Sequence, residues 1–111
     1  MWNCGGIRPQ AQSTNNKIDF FSSNFDKLNF SVLALIETHL KLSDSLPNRI
    51  QTYSQNYQFV NEPTTSTETH AGILVLIHKD YDILSKQVIQ PGRIIYVEIN
   101  HKTSQKNSPL Q

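Results

Sequence analysis

The chain has 111 residues, 37% hydrophobic and 17% charged, with Lys+Arg 10 against Asp+Glu 9 and a net charge of +1. This is the length of one small domain, not of a multidomain enzyme, and the near-neutral balance excludes a global basic field for gripping nucleic acid. One Cys excludes an internal disulfide, and four Gly with five Pro exclude a collagen-like or linker composition.

Met1 to Gln12 opens on Trp2-Asn3-Cys4, then a Gly5-Gly6 pair and Pro9; paired glycines mark a turn or a close backbone approach. No charged segment followed by an apolar one is visible there, so no signal peptide is expected and the expected compartment is intracellular. Between Lys17 and Leu28, the apolar Ile18, Phe21, Phe25 and Leu28 recur at helical spacing, which predicts a helix with one buried face. Asn15 or Asn16 is its expected N-cap, Asp19 falls in the expected first turn, and Asn29 is the expected left-handed C-terminal cap.

Val32 to Ile36 is a continuous apolar run, the pattern of a strand covered on both faces, and it ends in Glu37-Thr38-His39. A polar cluster just beyond a buried strand is where α/β proteins place chemistry. Past Pro47, Arg49 to Ser54 reads as a helical turn and Tyr57 to Val60 as a short strand. The polar stretch from Asn61 to His70 reads as a loop. Gly72 to His78 is a second buried-strand pattern. Ile83 to Ile89 and Ile94 to Ile99 flank Gln90-Pro91-Gly92-Arg93, which has Pro and Gly at the central positions of a type II turn. A hairpin follows, with Ile95, Val97 and Ile99 on one face. Both Gly72 to His78 and Ile94 to Ile99 are apolar enough to be central strands with both faces covered. Residues 102–111 lack periodicity and read as a frayed tail. The longest apolar runs, such as Ile73 to Ile77, fall far short of the ~20 residues of a membrane span.

His39, His70, His78 and His101 fit no zinc spacing, and no phosphate-loop, dinucleotide or nucleophile-elbow motif occurs. Cys4 reads as a small core residue beside Trp2. Two positions remain on which a site could be built. Glu37, ending a buried strand, offers a carboxylate to a hard cation such as Mg²⁺, which takes few protein oxygens and keeps its waters. Asn3 offers a carboxamide that can donate to a phosphate and accept from a neighbour. On this chemistry alone, a solvated strand end for Glu37 and a turn for Asn3 are the favoured readings, since one carboxylate does not specify a reaction.

The order WNCGGI, helix, VLALIETHL, AGILVLIHK, GRIIYVEIN resembles the start of the endonuclease/exonuclease/phosphatase superfamily, closest in texture to the apurinic endonuclease-like domains of non-LTR retrotransposons. In that family one strand delivers Trp-Asn, here Trp2-Asn3. The next delivers Glu-Thr, here Glu37-Thr38 with Leu40 following. Glycines then open two more strands, here Gly72 and Gly92-Arg93. The resemblance covers roughly residues 2–100 and implies an α/β protein, part of a four-layer α/β sandwich of DNase I type, with a mixed, mostly antiparallel sheet and flanking helices. It implies a Mg²⁺-dependent phosphodiesterase acting on DNA, with Glu37 as metal ligand and Asn3 in the same polar network, as catalytic and metal-site residues.

The family's later motifs, a Tyr strand, an Asp-x-Asn segment and a Ser-Asp-His segment, do not occur after Asn100. The expectation is an N-terminal piece of such a domain over residues 1–101, inactive alone, and marginally stable or prone to aggregate unless the missing half-domain covers it. A phosphatase or sphingomyelinase branch of the same superfamily, and a non-enzymatic α/β interaction module, are the alternatives.

Overall fold

The computed structural model describes residues 1–9, 13–27, 30–67 and 69–103. The elements in chain order are β1 (Trp2–Asn3), α1 (Thr14–Phe25), β2 (Val32–Ile36), α2 (Asn48–Gln51) running into a 3₁₀ turn (Thr52–Gln55), β3 (Tyr57–Glu62), β4 (Ile73–His78), β5 (Tyr81–Gln90) and β6 (Ile94–His101). The first four strands form a sheet in the order β1-β2-β4-β3, and β5 pairs with β6 in a second sheet. Among the described residues, β1 and β2 run parallel and the other pairs are antiparallel. The protein is thus mixed α/β and dominated by open sheets. No helix among the described residues is long and apolar enough to cross a membrane.

Helix α1 begins a turn earlier than the apolar spacing predicts. The Ser13 carbonyl accepts the Lys17 N–H at 3.2 Å, and the buried Thr14 donates its hydroxyl to the Arg8 carbonyl. That tertiary anchor overrides local capping: neither Asn15 nor Asn16 is the N-cap, and Asp19 falls outside the first turn, which holds no acid. The predicted face is the one buried, through Ile18, Phe21 and Phe25. Leu28, Asn29 and the segment 104–111, where the expected cap and most of the tail fall, lie outside the described residues.

Strand β4 is the centre of the molecule, and its alternation sends side chains into two cores. Leu74 and Leu76 join Leu33 and Leu35 of β2 beneath α1, in a cluster that also takes Cys4, Ile7, Leu40 and Ile50. Aromatic rings seal that side: Trp2 stacks on Phe21 with centroids 5.5 Å apart, and Tyr53 and Tyr57 pack on Phe25. Ile73, Val75 and Ile77 face the other way with Val60 of β3, against Ile83 of β5 and Ile95, Val97 and Ile99 of β6.

Two expectations of full burial are corrected here. β2 is covered on its Leu33/Leu35 face, while Ala34 and Ile36 are half-buried and Val32 is exposed. β6 is covered on one face alone, with Ile94 and Tyr96 exposed. The hairpin is only two strands wide, so it shields the middle of the sheet and leaves its own outer face in solvent. The hairpin turn forms as predicted: Gly92 takes φ +72° and the Arg93 N–H donates to the Gln90 carbonyl at 3.0 Å, as a type II turn requires.

Candidate functional site

Parallel pairing of β1 with β2 aligns Trp2 with Leu35 and Asn3 with Ile36, so both strands end at the same edge of the sheet. The backbone ladder continues past both ends. Gly6 and Ile7 donate their N–H groups to the Glu37 and Thr38 carbonyls, each at 2.8 Å. From the other side, Thr38 and His39 donate to the Gly72 and Ala71 carbonyls at 3.2 and 2.8 Å. The segment 37–39 is therefore clamped between two chains. The clamp holds Glu37 at φ +55° and His39 at φ +62°, left-handed conformations that side-chain-bearing residues avoid. Strained backbone that its surroundings over-determine concentrates at functional sites.

Asn3 and Glu37 meet. The Asn3 Nδ2 donates to Glu37 Oε2 at 2.5 Å, and Asn3 Oδ1 accepts the Gly5 N–H at 3.1 Å. In this arrangement Asn3 turns its donor toward the carboxylate, and its oxygen is already engaged. It therefore orients Glu37, and Glu37 alone supplies an anionic oxygen. Asn3 Oδ1 keeps a second lone pair beyond the one that takes the Gly5 N–H. Lys17 braces the same loop from α1, donating to the Gly5 and Gly6 carbonyls at 2.7 and 2.9 Å.

Two glycines are required by space as well as by φ. A Cβ on Gly72, at φ +106°, would stand 2.4 Å from Thr38 Oγ1, and one on Gly6, at φ +99°, 2.5 Å from His39 Nδ1. Thr38 is wholly buried and accepts the Leu40 N–H, so it has no route out of the way of a side chain at position 72. Glu37 opens onto a cleft of about 200 Å³ that it shares with Gly72, Gly92 and Arg93. Beneath the cleft, the buried Glu62 accepts the Gly92 N–H at 3.1 Å and lies 3.6 Å from Lys86 Nζ, which ties the hairpin turn to the first sheet.

His39 lies over Gly6 and meets His70 edge-on, with centroids 4.8 Å apart. Burial lowers its pKa, helped by His70 and Lys17, with Glu37 pulling weakly the other way. Its Nδ1 is the atom nearest the space above Gly6, so its place in the structure is packing against the glycine loop. Cys4 is buried in the helix-side core, where burial pushes its thiol pKa up and Sγ donates to the Ile36 carbonyl at 3.3 Å. A thiol held neutral is an inert one.

A cation could be held here by one carboxylate. Among the described residues no three His, Cys, Asp or Glu converge on a metal position. Mg²⁺ suits such a sparse corner, because it is commonly bound through one or two carboxylates with water and substrate phosphates completing the shell. Lys17 and Glu62 were not singled out by sequence reasoning. Lys17 is an ordinary polar position on a helix, and Glu62 sits in a strand that ends in a polar loop, so neither carries a local signal. No protein-family model and no curated protein matches this chain.

Proposed function

We propose that this chain is the N-terminal part of an endonuclease/exonuclease/phosphatase-type domain, in which Glu37 holds Mg²⁺ against a phosphodiester of DNA. The observation that carries the reading is the Asn3–Glu37 hydrogen bond at the shared carboxyl end of the parallel pair β1 and β2. Ligands of α/β sheets bind outside the carboxyl ends of strands. The left-handed Glu37 and the glycine-lined cleft beside it support the same reading. The finer fold reading is the DNase I-type four-layer sandwich; the packing of α1 on one face of the first sheet and of the hairpin on the other supports it.

Bound there, Mg²⁺ would supply charge stabilisation to the phosphate and the leaving oxygen. This chain's own residues bind and orient. Glu37 gives the anionic oxygen, Asn3 fixes the carboxylate, and Lys17 with Gly5 and Gly6 holds the loop that carries Asn3. Among the described residues, no Asp lines the Glu37 cleft. Asp44 pairs with Arg8, Asp26 with Arg49 and Asp82 with Lys102. Groups of a catalytic set act as a unit, so a metal corner without its base retains little of the rate.

Two measurements test this. Mn²⁺ added to the chain should broaden the amide signals of Asn3, Gly5, Glu37 and Thr38, Mg²⁺ should reverse the effect, and Glu37→Gln should abolish it. Broadening spread evenly over the surface would remove the metal corner. The chain alone should leave supercoiled DNA intact in Mg²⁺. Nicking that disappears in Glu37→Ala would show that the residues present are sufficient and overturn the expected inactivity.

A further inference from the structure

At the opposite end of the sheet from Glu37 lies a cavity of about 470 Å³, within the range of small-molecule sites. It opens where β2 begins and where β4 and β6 end, about 17 Å from Glu37 along β2 at the usual rise per strand residue. Its walls are aromatic: Phe25, Phe30, Tyr53, Tyr57 and Tyr81. Tyr57 and Tyr53 are fixed by donating their hydroxyls to the Phe30 carbonyl at 2.8 Å and to Asp26 at 3.0 Å. His78 and His101 meet Tyr57 and Tyr81 edge-on, with centroids 5.2 and 4.9 Å apart. Each imidazole accepts a backbone N–H on Nδ1, from Asp80 and Thr103 respectively, both at 3.0 Å.

Among the described residues that line this cavity, the carboxylates are Asp26 and Asp80, and none is a Lys or Arg. Arg49 reaches Asp26 at 3.3 Å without lining the cavity. Asp80 lies 3.3 Å from His78 Nδ1, an atom already accepting the Asp80 N–H, so His78 can neutralise this carboxylate only by giving that bond up. Aromatic faces joined to carboxylates attract organic cations, because ring quadrupole and anion act in the same sense. A metal ion is the poorer fit, since no three ligating side chains converge among the described residues.

We propose that this cavity binds a small organic cation, a compact ammonium group clothed in carbon, held between the tyrosine walls and the carboxylates of Asp26 and Asp80. The test is titration of the full chain with choline, and separately with its uncharged carbon isostere 3,3-dimethylbutan-1-ol, followed by amide and aromatic NMR shifts. Choline should give saturable shifts at His78, Asp80 and Tyr81, and the alcohol should bind about tenfold more weakly. Asp80→Asn, a change at an exposed side chain, should weaken choline about fivefold. Equal binding of choline and the alcohol, no saturable shift with choline, or unchanged affinity in a folded Asp80→Asn variant would each overturn the proposal. Should that variant fail to fold, the choline–alcohol comparison on the unaltered chain decides. Binding of adenosine without choline would assign the walls to base stacking and also overturn it.

Discussion

On the helix side of the first sheet, Leu35, Leu74 and Leu76 are wholly withdrawn from solvent beneath α1, and rings from Trp2 to Tyr57 close the layer. On the hairpin side, Ile95, Val97 and Ile99 are only half-buried against Val75 and Ile77. One strand, β4, supplies both cores from alternate residues, so its sequence treats the two sides alike while the structure does not. The difference lies in what covers each face. A helix with an apolar stripe fills the curved face of a sheet, whereas a two-stranded ribbon shields a narrow band. The thickly packed side also holds Cys4, Ile7 and Leu40, and therefore carries the loops that position Asn3 and Glu37.

The largest effect should come from the side that is fully packed. Leu74→Ala should lower unfolding free energy by about 3 kcal/mol, and Val97→Ala on the hairpin side by about 1 kcal/mol, both read from urea denaturation. Equal losses would mean that the hairpin packs as tightly as the helix and would erase the contrast. Gly72 stands where the two sides meet, beside Glu37. Gly72→Ala combines positive φ with a clash on the buried Thr38 and should cost about 2 to 3 kcal/mol. Gly5→Ala, whose nearest new neighbour would be Lys17 Nζ at 3.9 Å, should cost about 1 kcal/mol from backbone strain alone. A Gly72→Ala chain as stable as the parent would show that the clamp around residues 37–39 yields easily.

The smallest effect is electrostatic. Burial lowers the His39 pKa from 6.5, so near that pH the folded chain binds fewer protons than the unfolded one. Stability is then complete above pH 6.5 and falls as the pH drops from there through the depressed folded value. His39→Gln should flatten this slope on the acid side of pH 6.5 in urea midpoints. An unchanged slope in the variant would place the acid sensitivity elsewhere in the molecule.

Much of the fold was legible locally. The spacing of Ile18, Phe21 and Phe25 marked the buried face of α1, and Pro91-Gly92 marked the hairpin turn. The runs at Val32 and Ile73 marked the strands that became the middle of the sheet. The start of α1 was not legible, because Thr14 is anchored by the Arg8 carbonyl and not by a neighbouring cap. Nor was the one-sided cover of β6, since an apolar strand reads alike whether or not a second layer reaches it. For the site, Asn3 and Glu37 were visible as residue types at promising positions. The brace from Lys17 and the buried Glu62 beneath Gly92 were not, because each acts on a residue far away in the chain.

By itself the sequence determined where the longer helix and the longer strands lie and which face of α1 is buried, because both follow from the period of apolar residues along a short stretch. Tertiary structure alone decided that β1 lies parallel to β2, and with it the meeting of Asn3 and Glu37 across 34 residues. A two-residue strand has too few side chains to announce its partner. Its place is chosen by Trp2 stacking on Phe21 and by the backbone hydrogen bonds that continue through Ile7 to Thr38.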